Sequence, residues 1–195
     1  MNVLVGASEW CGEPAVNPPT SVTIRALAEA HIPEIVDACA DWQELAQFGP
    51  PYWRPRSEAE LKRKIVASAG PEPAKEYYFV LVEADGRLVG ECSVHAIDWR
   101  NRVAEIGIAI WRPDDRRKGY GQVALREMEA YAFGYLGLRR VEAWIIEDNL
   151  PSLGLFDRHG YKREAVLRQR YREGGVLRDV HVLGLLAEDR QFSEL

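Results

Sequence analysis

Residues Glu105–Tyr131 read EIGIAIWRPDDRRKGYGQVALREMEAY. Alternating apolar residues make EIGIAIW a strand, and RRKGYG, Arg116–Gly121, then sets three cations and two glycines directly before an apolar-periodic segment. Leu125, Met128, Ala132, Tyr135 and Leu136 recur at helical spacing, with Arg126, Glu127 and Glu129 on the other side, which predicts an amphipathic helix. A helix start carries unpaired N–H groups and partial positive charge, so cations there are electrostatically misplaced unless an anion arrives. Gly119 and Gly121 remove the side chains that would keep a bulky phosphate off the backbone, and they permit angles that aim successive amides at one point. The turn reads as a pyrophosphate cradle.

Competing cradles are separated by context. G-x-x-x-x-G-K-[ST] does not occur, which excludes a P-loop. GYGQVA satisfies G-x-G-x-x-G/A, and Glu142 lies about twenty residues on, as in a dinucleotide fingerprint. There, however, the strand enters the first glycine almost directly, whereas RPDDRRK separates Trp111 from Gly119 here. The remaining alternative is a solvated basic turn that caps the helix, its arginines neutralised by Asp114 and Asp115.

Upstream, SVTIRAL alternates as a strand and IPEIVDACADW carries helical spacing, with Pro33 acceptable in a first turn. FGPPYWRP interrupts, and Ser57 with Glu60 forms a capping-box signature for a second helix through about Ala69. YYFVLVEADGRLVGECSVHAI and RVAEIGIAIW supply three antiparallel strands, turned at Asp85-Gly86 and at DWRN. Downstream, RRVEAWII is a strand, NLPSLGLFDRHG a helix closed by Gly160, and YKREAVLR with LRDVHVLGLL a hairpin around Gly174-Gly175. The order β-α-α-β-β-β-α-β-α-β-β predicts one α/β domain with a mixed, mainly antiparallel sheet and flanking helices. Its expected extent is 21–187, between a proline-broken leader, 1–20, and a tail, 188–195.

With 195 residues and 47% apolar content the chain can fill one sizeable core. A formal charge of −5 argues against general nucleic-acid binding, so the basic hexapeptide is a local device. Cys11, Cys39 and Cys92 form neither a disulfide framework nor a metal cluster, and His95, His159 and His181 are isolated, so no metal is assigned. MNVLVGASEW does not read as a signal peptide and no run reaches membrane-spanning length. The expectation is a soluble protein in a reducing cytoplasm.

R-x-x-G-x-G/A after EIGIAIW resembles the acyl-CoA pyrophosphate loop of the GNAT acyltransferase superfamily, and the order of elements is also similar to that superfamily's. The resemblance covers roughly residues 21–187, and EDNLPSLGLFDRHGYKRE followed by LRDVHVLGLL most resembles the branch that acetylates ribosomal-protein N-termini and, in related members, antibiotics and polyamines. It implies acetyl-CoA as donor, a primary amine as acceptor and, as an assembly, a homodimer. It further implies that main-chain groups of Ala109, Ile110 and Trp111 pair with the pantetheine arm and that the amides of Arg116, Arg117, Lys118, Gly119, Tyr120 and Gly121 hold the pyrophosphate. Asn149 and Ser152 match the family's N-x-x-S near the thiol end; helix capping explains the same pair equally well.

An amine attacking a thioester needs a base, some N–H donors and a departing thiolate. Glu105 is the candidate base, on the strand leading to the loop and on the same face as Gly107, where alternation leaves room for a substrate. A structural carboxylate paired with Arg100, Arg102 or a neighbouring strand's cation is the alternative. Phe156 stands where many members carry an acidic tyrosine, so Ser152 is left to assist the thiolate. The acceptor is expected against Trp42, Phe48, Tyr52 and Trp53, with Asp41 and Glu44 attracting a cation. Two other classes stay open: a catalytically silent acyl-CoA-binding module, and an acyltransferase of this fold that uses another acyl carrier.

Overall fold

The computed structural model describes residues 22–49 and 52–190. The expected leader, 1–20, and the last residues of the expected tail, 191–195, lie outside that range. Seven strands form one sheet in the order β1-β2-β3-β4-β5-β7-β6, with β1 Val22–Ala26, β2 Tyr77–Glu83, β3 Leu88–Asp98, β4 Val103–Ile110, β5 Arg140–Ile146, β6 Lys162–Glu173 and β7 Val176–Leu186. Every neighbouring pair is antiparallel except β4 with β5.

Period-2 alternation distributes the sheet's apolar side chains between two cores. Leu81, Cys92 and Val94 face α4 (Tyr120–Ala130) and α5 (Leu150–Arg158), where Leu125, Met128 and Phe156 are buried. Val80, Val82 and Leu88 face the opposite way and pack with Ile35 of α1 (Ile32–Ala38), Leu45 of α2 (Trp42–Ala46) and Leu61 of α3 (Glu58–Ala67). The sheet is therefore the middle of three layers.

The turn chemistry acts as expected at both glycine hairpins. Gly174 and Gly175 take φ +52° and +89°, the pair of left-handed residues that a two-residue turn needs. Three local expectations need correction. IPEIVDACADW is not one helix: the Asp41 carboxylate accepts the Glu44 amide at 3.0 Å and restarts the chain as α2. Only half of the capping box forms, because Ser57 accepts the Glu60 amide at 3.2 Å while the Glu60 carboxylate turns to Arg56 and Lys64. Tyr135 leaves the apolar face and is 85% exposed, since α4 yields at Tyr131 to a π-helical turn that shifts its phase.

Arg56 connects α3 to the sheet. Its guanidinium donates two bonds of 3.0 Å to the Glu91 carboxylate on β3, and the Tyr52 hydroxyl donates a third of 2.6 Å. Lys64 approaches the same carboxylate at 3.9 Å and Glu60 at 3.3 Å. All four charged residues are buried, which is tolerable because each charge has an opposite partner.

Candidate active site

Between β4 and β5 the sheet comes apart. Their parallel pairing covers only Val103–Glu105 against Arg140–Glu142, and beyond Glu105 the two strands separate. Main-chain groups on that side of β4 then lack a strand partner and lie open to a ligand. A cleft of about 850 Å³ follows this opening from Ile108 and Ile110 to Arg117, Gly119 and Gly121 at the start of α4. A second cleft of about 460 Å³ adjoins it, walled by Tyr78, Glu76, His95, Glu105, Trp144 and Tyr171. Phe48, Ile108, Ala109, Asn149 and Ser152 line both, so the two clefts meet there.

At the first cleft Gly119 adopts φ +88° and Arg117 φ +62°, the left-handed conformations that bend the loop into the helix. Among the described residues, no main-chain carbonyl bonds the amides of Arg117, Gly119, Tyr120 or Gly121. A Cβ on Gly119 would meet nothing within 4 Å, so the approach to those amides is open. This fits a diphosphate. Arg116 does not belong to the cradle, because its amide is bonded to the Pro113 carbonyl at 3.1 Å and its guanidinium to Glu44 at 2.6 and 2.9 Å. Lys118 pairs with Asp115 at 3.1 Å, and Asp115 also holds Arg87 at 2.7 Å. Two of the three loop cations thus have protein partners; Arg117 is the one with no ion pair among the described residues. Of Tyr120 only the amide is open, its buried hydroxyl donating to Glu83.

The expected pairing of the strand with a ligand shifts by one residue. The Trp111 amide donates to Val89 at 3.2 Å and its carbonyl accepts from Arg116 at 3.0 Å, so neither is open. The Ala109 carbonyl points at β3, so closely that a Cβ on Gly90 would sit 2.3 Å from it. By alternation Ile108 and Ile110 turn their main-chain groups to the open side, where the Ile110 carbonyl already accepts from Arg116 Nε at 3.2 Å and only its amide is left to a ligand. Ile108 is therefore a site residue missed in the sequence, where strand phase cannot be read without the register. At α5 the Asn149 side chain accepts the Ser152 amide at 3.2 Å, so Asn149 caps the helix while the Ser152 side chain reaches both clefts.

In the second cleft Glu105 pairs across the strands with His95, whose Nε2 lies 3.6 Å from its carboxylate; neither Arg100 nor Arg102 is its partner. Burial, and then the Glu142 charge, raise the Glu105 pKa above the usual carboxylate value. Burial likewise lowers that of His95, keeping the imidazole neutral. Gly107 lines the cleft, but the position its Cβ would take is filled: it would sit 2.9 Å from Ser93 Oγ and 3.2 Å from the His95 ring, and those two side chains contact each other at 3.1 Å. The glycine makes space for a Ser93–His95–Glu105 array that no spacing in the sequence signals. Phe156 is buried against Tyr161, their rings edge to face at 4.8 Å. Among the described residues no group of three or more His, Cys, Asp or Glu side chains gathers as a metal site.

A strand diverging from its parallel neighbour, a glycine-turned helix start at the end of one cleft and a carboxylate in the other define an acyl-CoA-dependent amine acyltransferase. Residues 21–162 match the acetyltransferase (GNAT) domain, and the chain belongs to that family of acetyl-CoA-dependent N-acetyltransferases. It is 30% identical over 133 residues to the uncharacterized N-acetyltransferase p20 of Bacillus licheniformis, covering 68% of this chain and 74% of that protein. Over 134 residues it is 31% identical to the probable N-acetyltransferase YjcK of Bacillus subtilis, covering 68% and 74%. The crystal structure of spermidine N-acetyltransferase from Vibrio cholerae, in complex with CoA and spermine, has the same fold, with a TM-score of 0.75 at 22% identity over 86% of this chain and 96% of that one. No helix among the described residues is long and apolar enough to cross a membrane.

Proposed function

We propose that the enzyme acetylates the primary amine of a cationic acceptor, a polyamine-like small molecule, an antibiotic or a peptide N-terminus, by direct transfer in a ternary complex. The observation that carries this is the meeting of the two clefts at Ile108 and Ser152, with Glu105 on the acceptor side. Glu60 and Glu91 are paired with Arg56 and Lys64, whereas Glu76 and Glu105 supply local negative charge for an ammonium in a cleft that Arg54 and Arg63 also line. Two of the relatives carry names that point to acceptors of these kinds: spermidine N(1)-acetyltransferase and putative ribosomal N-acetyltransferase.

Acetyl-CoA supplies the acetyl group as a thioester. Arg117, Gly119, Tyr120 and Gly121 would hold its diphosphate through their amides, and Ile108 and Ile110 its amide-bearing arm as a surrogate strand. Glu105 accepts the ammonium proton and frees the nitrogen lone pair, with the neutral His95 beside it to pass the proton outward. The start of α5 and the Ser152 side chain, where the two clefts meet, would stabilise the sulfur as it leaves; a thiol needs less help than an alcohol because its pKa is near 8.5. The buried Cys39 and Cys92 are free thiols, which suits the cytoplasm. Val166, Val176 and Leu177 are about half exposed on the outermost hairpin and suit a homodimer, which sedimentation velocity would measure.

Acetyl-CoA at about 100 times its Kd should raise the melting temperature by roughly 5–10 °C, and a panel of amines should give thiol release. Absence of any shift at millimolar donor would refute the proposal. Glu105→Gln should leave donor affinity unchanged and lower kcat about 100-fold. The wild-type rate should rise with pH through a pKa above the ordinary carboxylate range, since the ionised form is the base; the variant should lose that limb. A variant with the same pH profile as wild type would remove Glu105 from the chemistry.

A further inference from the structure

Arg116 touches both halves of the site. Its Nε donates to the Ile110 carbonyl at 3.2 Å and its Nη2 to the Trp111 carbonyl at 3.0 Å, at the donor end of β4. The other edge of the same guanidinium holds both oxygens of Glu44, in α2. Its plane lies 4.7 Å from the centre of the Phe48 ring, and Phe48 lines both clefts. One planar cation therefore fastens the wall of the acceptor cleft to the strand and loop of the donor cleft.

We infer that Arg116 is a positioning residue that transmits occupancy of the donor cleft to Phe48 in the acceptor wall, and to α2 just before it, through its ion pair with Glu44. The inference rests on the reading of the α4 start as the donor's diphosphate site. Arg116 itself lines that cleft, one residue before the open amides begin. A diphosphate arriving there changes the field at the guanidinium, and an arm paired with Ile110 fixes the carbonyl it grips. Both effects reach Glu44 because α2 is only five residues long, too short to be rigid alone. A lysine cannot substitute, since a single ammonium lacks the planar fork that spans two carbonyls and a carboxylate at once.

Hydrogen exchange of the peptide covering Trp42–Phe48, with and without coenzyme A, tests the coupling. In the wild type, saturating coenzyme A should slow exchange in that peptide about tenfold. Arg116→Lys and Glu44→Gln should bind coenzyme A within about threefold of wild type yet lose the response, and Glu44→Asp, which keeps the charge, should recover part of it. An equal response in wild type and Glu44→Gln, or none in a saturated wild type, overturns the coupling. A loss of affinity beyond tenfold in Arg116→Lys alone overturns it too, by making Arg116 a direct phosphate ligand. If the wild type does not bind coenzyme A at all, the donor site itself falls, an outcome distinct from binding without a response.

Discussion

Gly121→Asp is expected to fold normally and to bind acetyl-CoA about 1,000-fold more weakly than the wild type. Gly121 is the second residue of α4, and a Cβ there meets only the end of the Leu155 side chain, at 3.3 Å, which can move aside. A carboxylate in the first turn of a helix complements its dipole and adds about 0.3–1 kcal/mol to stability. The same charge occupies the position that the amides offer to a diphosphate. At about 4 Å and an effective dielectric constant near 20, one such opposition costs about 4 kcal/mol, or three decades of affinity. Calorimetry with acetyl-CoA measures the loss, and the melting temperature without ligand shows that the fold is intact. An affinity within tenfold of wild type would mean that the donor's phosphates lie elsewhere.

Glu91→Ala should destabilise the protein by about 3–5 kcal/mol, because it leaves the Arg56 guanidinium buried without its bidentate partner. For a chain of this size that is a fall in melting temperature of roughly 10 °C or more. Acid should reproduce much of it. Burial pushes the Glu91 carboxyl up, but Lys64 and Arg56, with the hydrogen bonds from Arg56 and Tyr52, outweigh burial and hold its pKa at about 2. A folded-state value below the unfolded one means that the stabilisation is complete above about pH 4.5 and is lost as pH falls toward 2, a difference of about 3 kcal/mol. The pH dependence of urea unfolding between pH 5 and 2 should therefore be shallower in the variant. Equal slopes would show that the charge of Glu91 is not what holds α3 to the sheet.

Much of the fold could be read from the sequence because its signals are local. Gly174-Gly175, Gly160 and the alternation in β2 to β4 each specify geometry within a few residues, but the insertion of β7 between β5 and β6 is not marked in the chain. The loop before α4 was legible for the same reason. What escaped were relations across the sheet. Whether Ala109 or Ile108 faces the opening depends on register with β3, and one residue of shift exchanges the two faces. His95 looked isolated because its partners Ser93 and Glu105 meet it through alternation and strand pairing. The partner of Arg116 was hidden because Glu44 lies 72 residues away in the chain, whereas the Asp115 that pairs with Lys118 is local.

The brevity of the β4–β5 ladder also has a mechanical meaning. Three rungs, Val103–Glu105 with Arg140–Glu142, and the neighbouring bond from the Arg139 amide to the Arg102 carbonyl at 2.9 Å stitch the β1–β4 leaf to the β5–β7 leaf across the sheet. Pulling the leaves apart along that seam should break the ladder like a zipper with few teeth, well before either leaf frays. A bound pantetheine arm, bridging the gap above the last tooth, would then serve as a mechanical suture as well as a reactant.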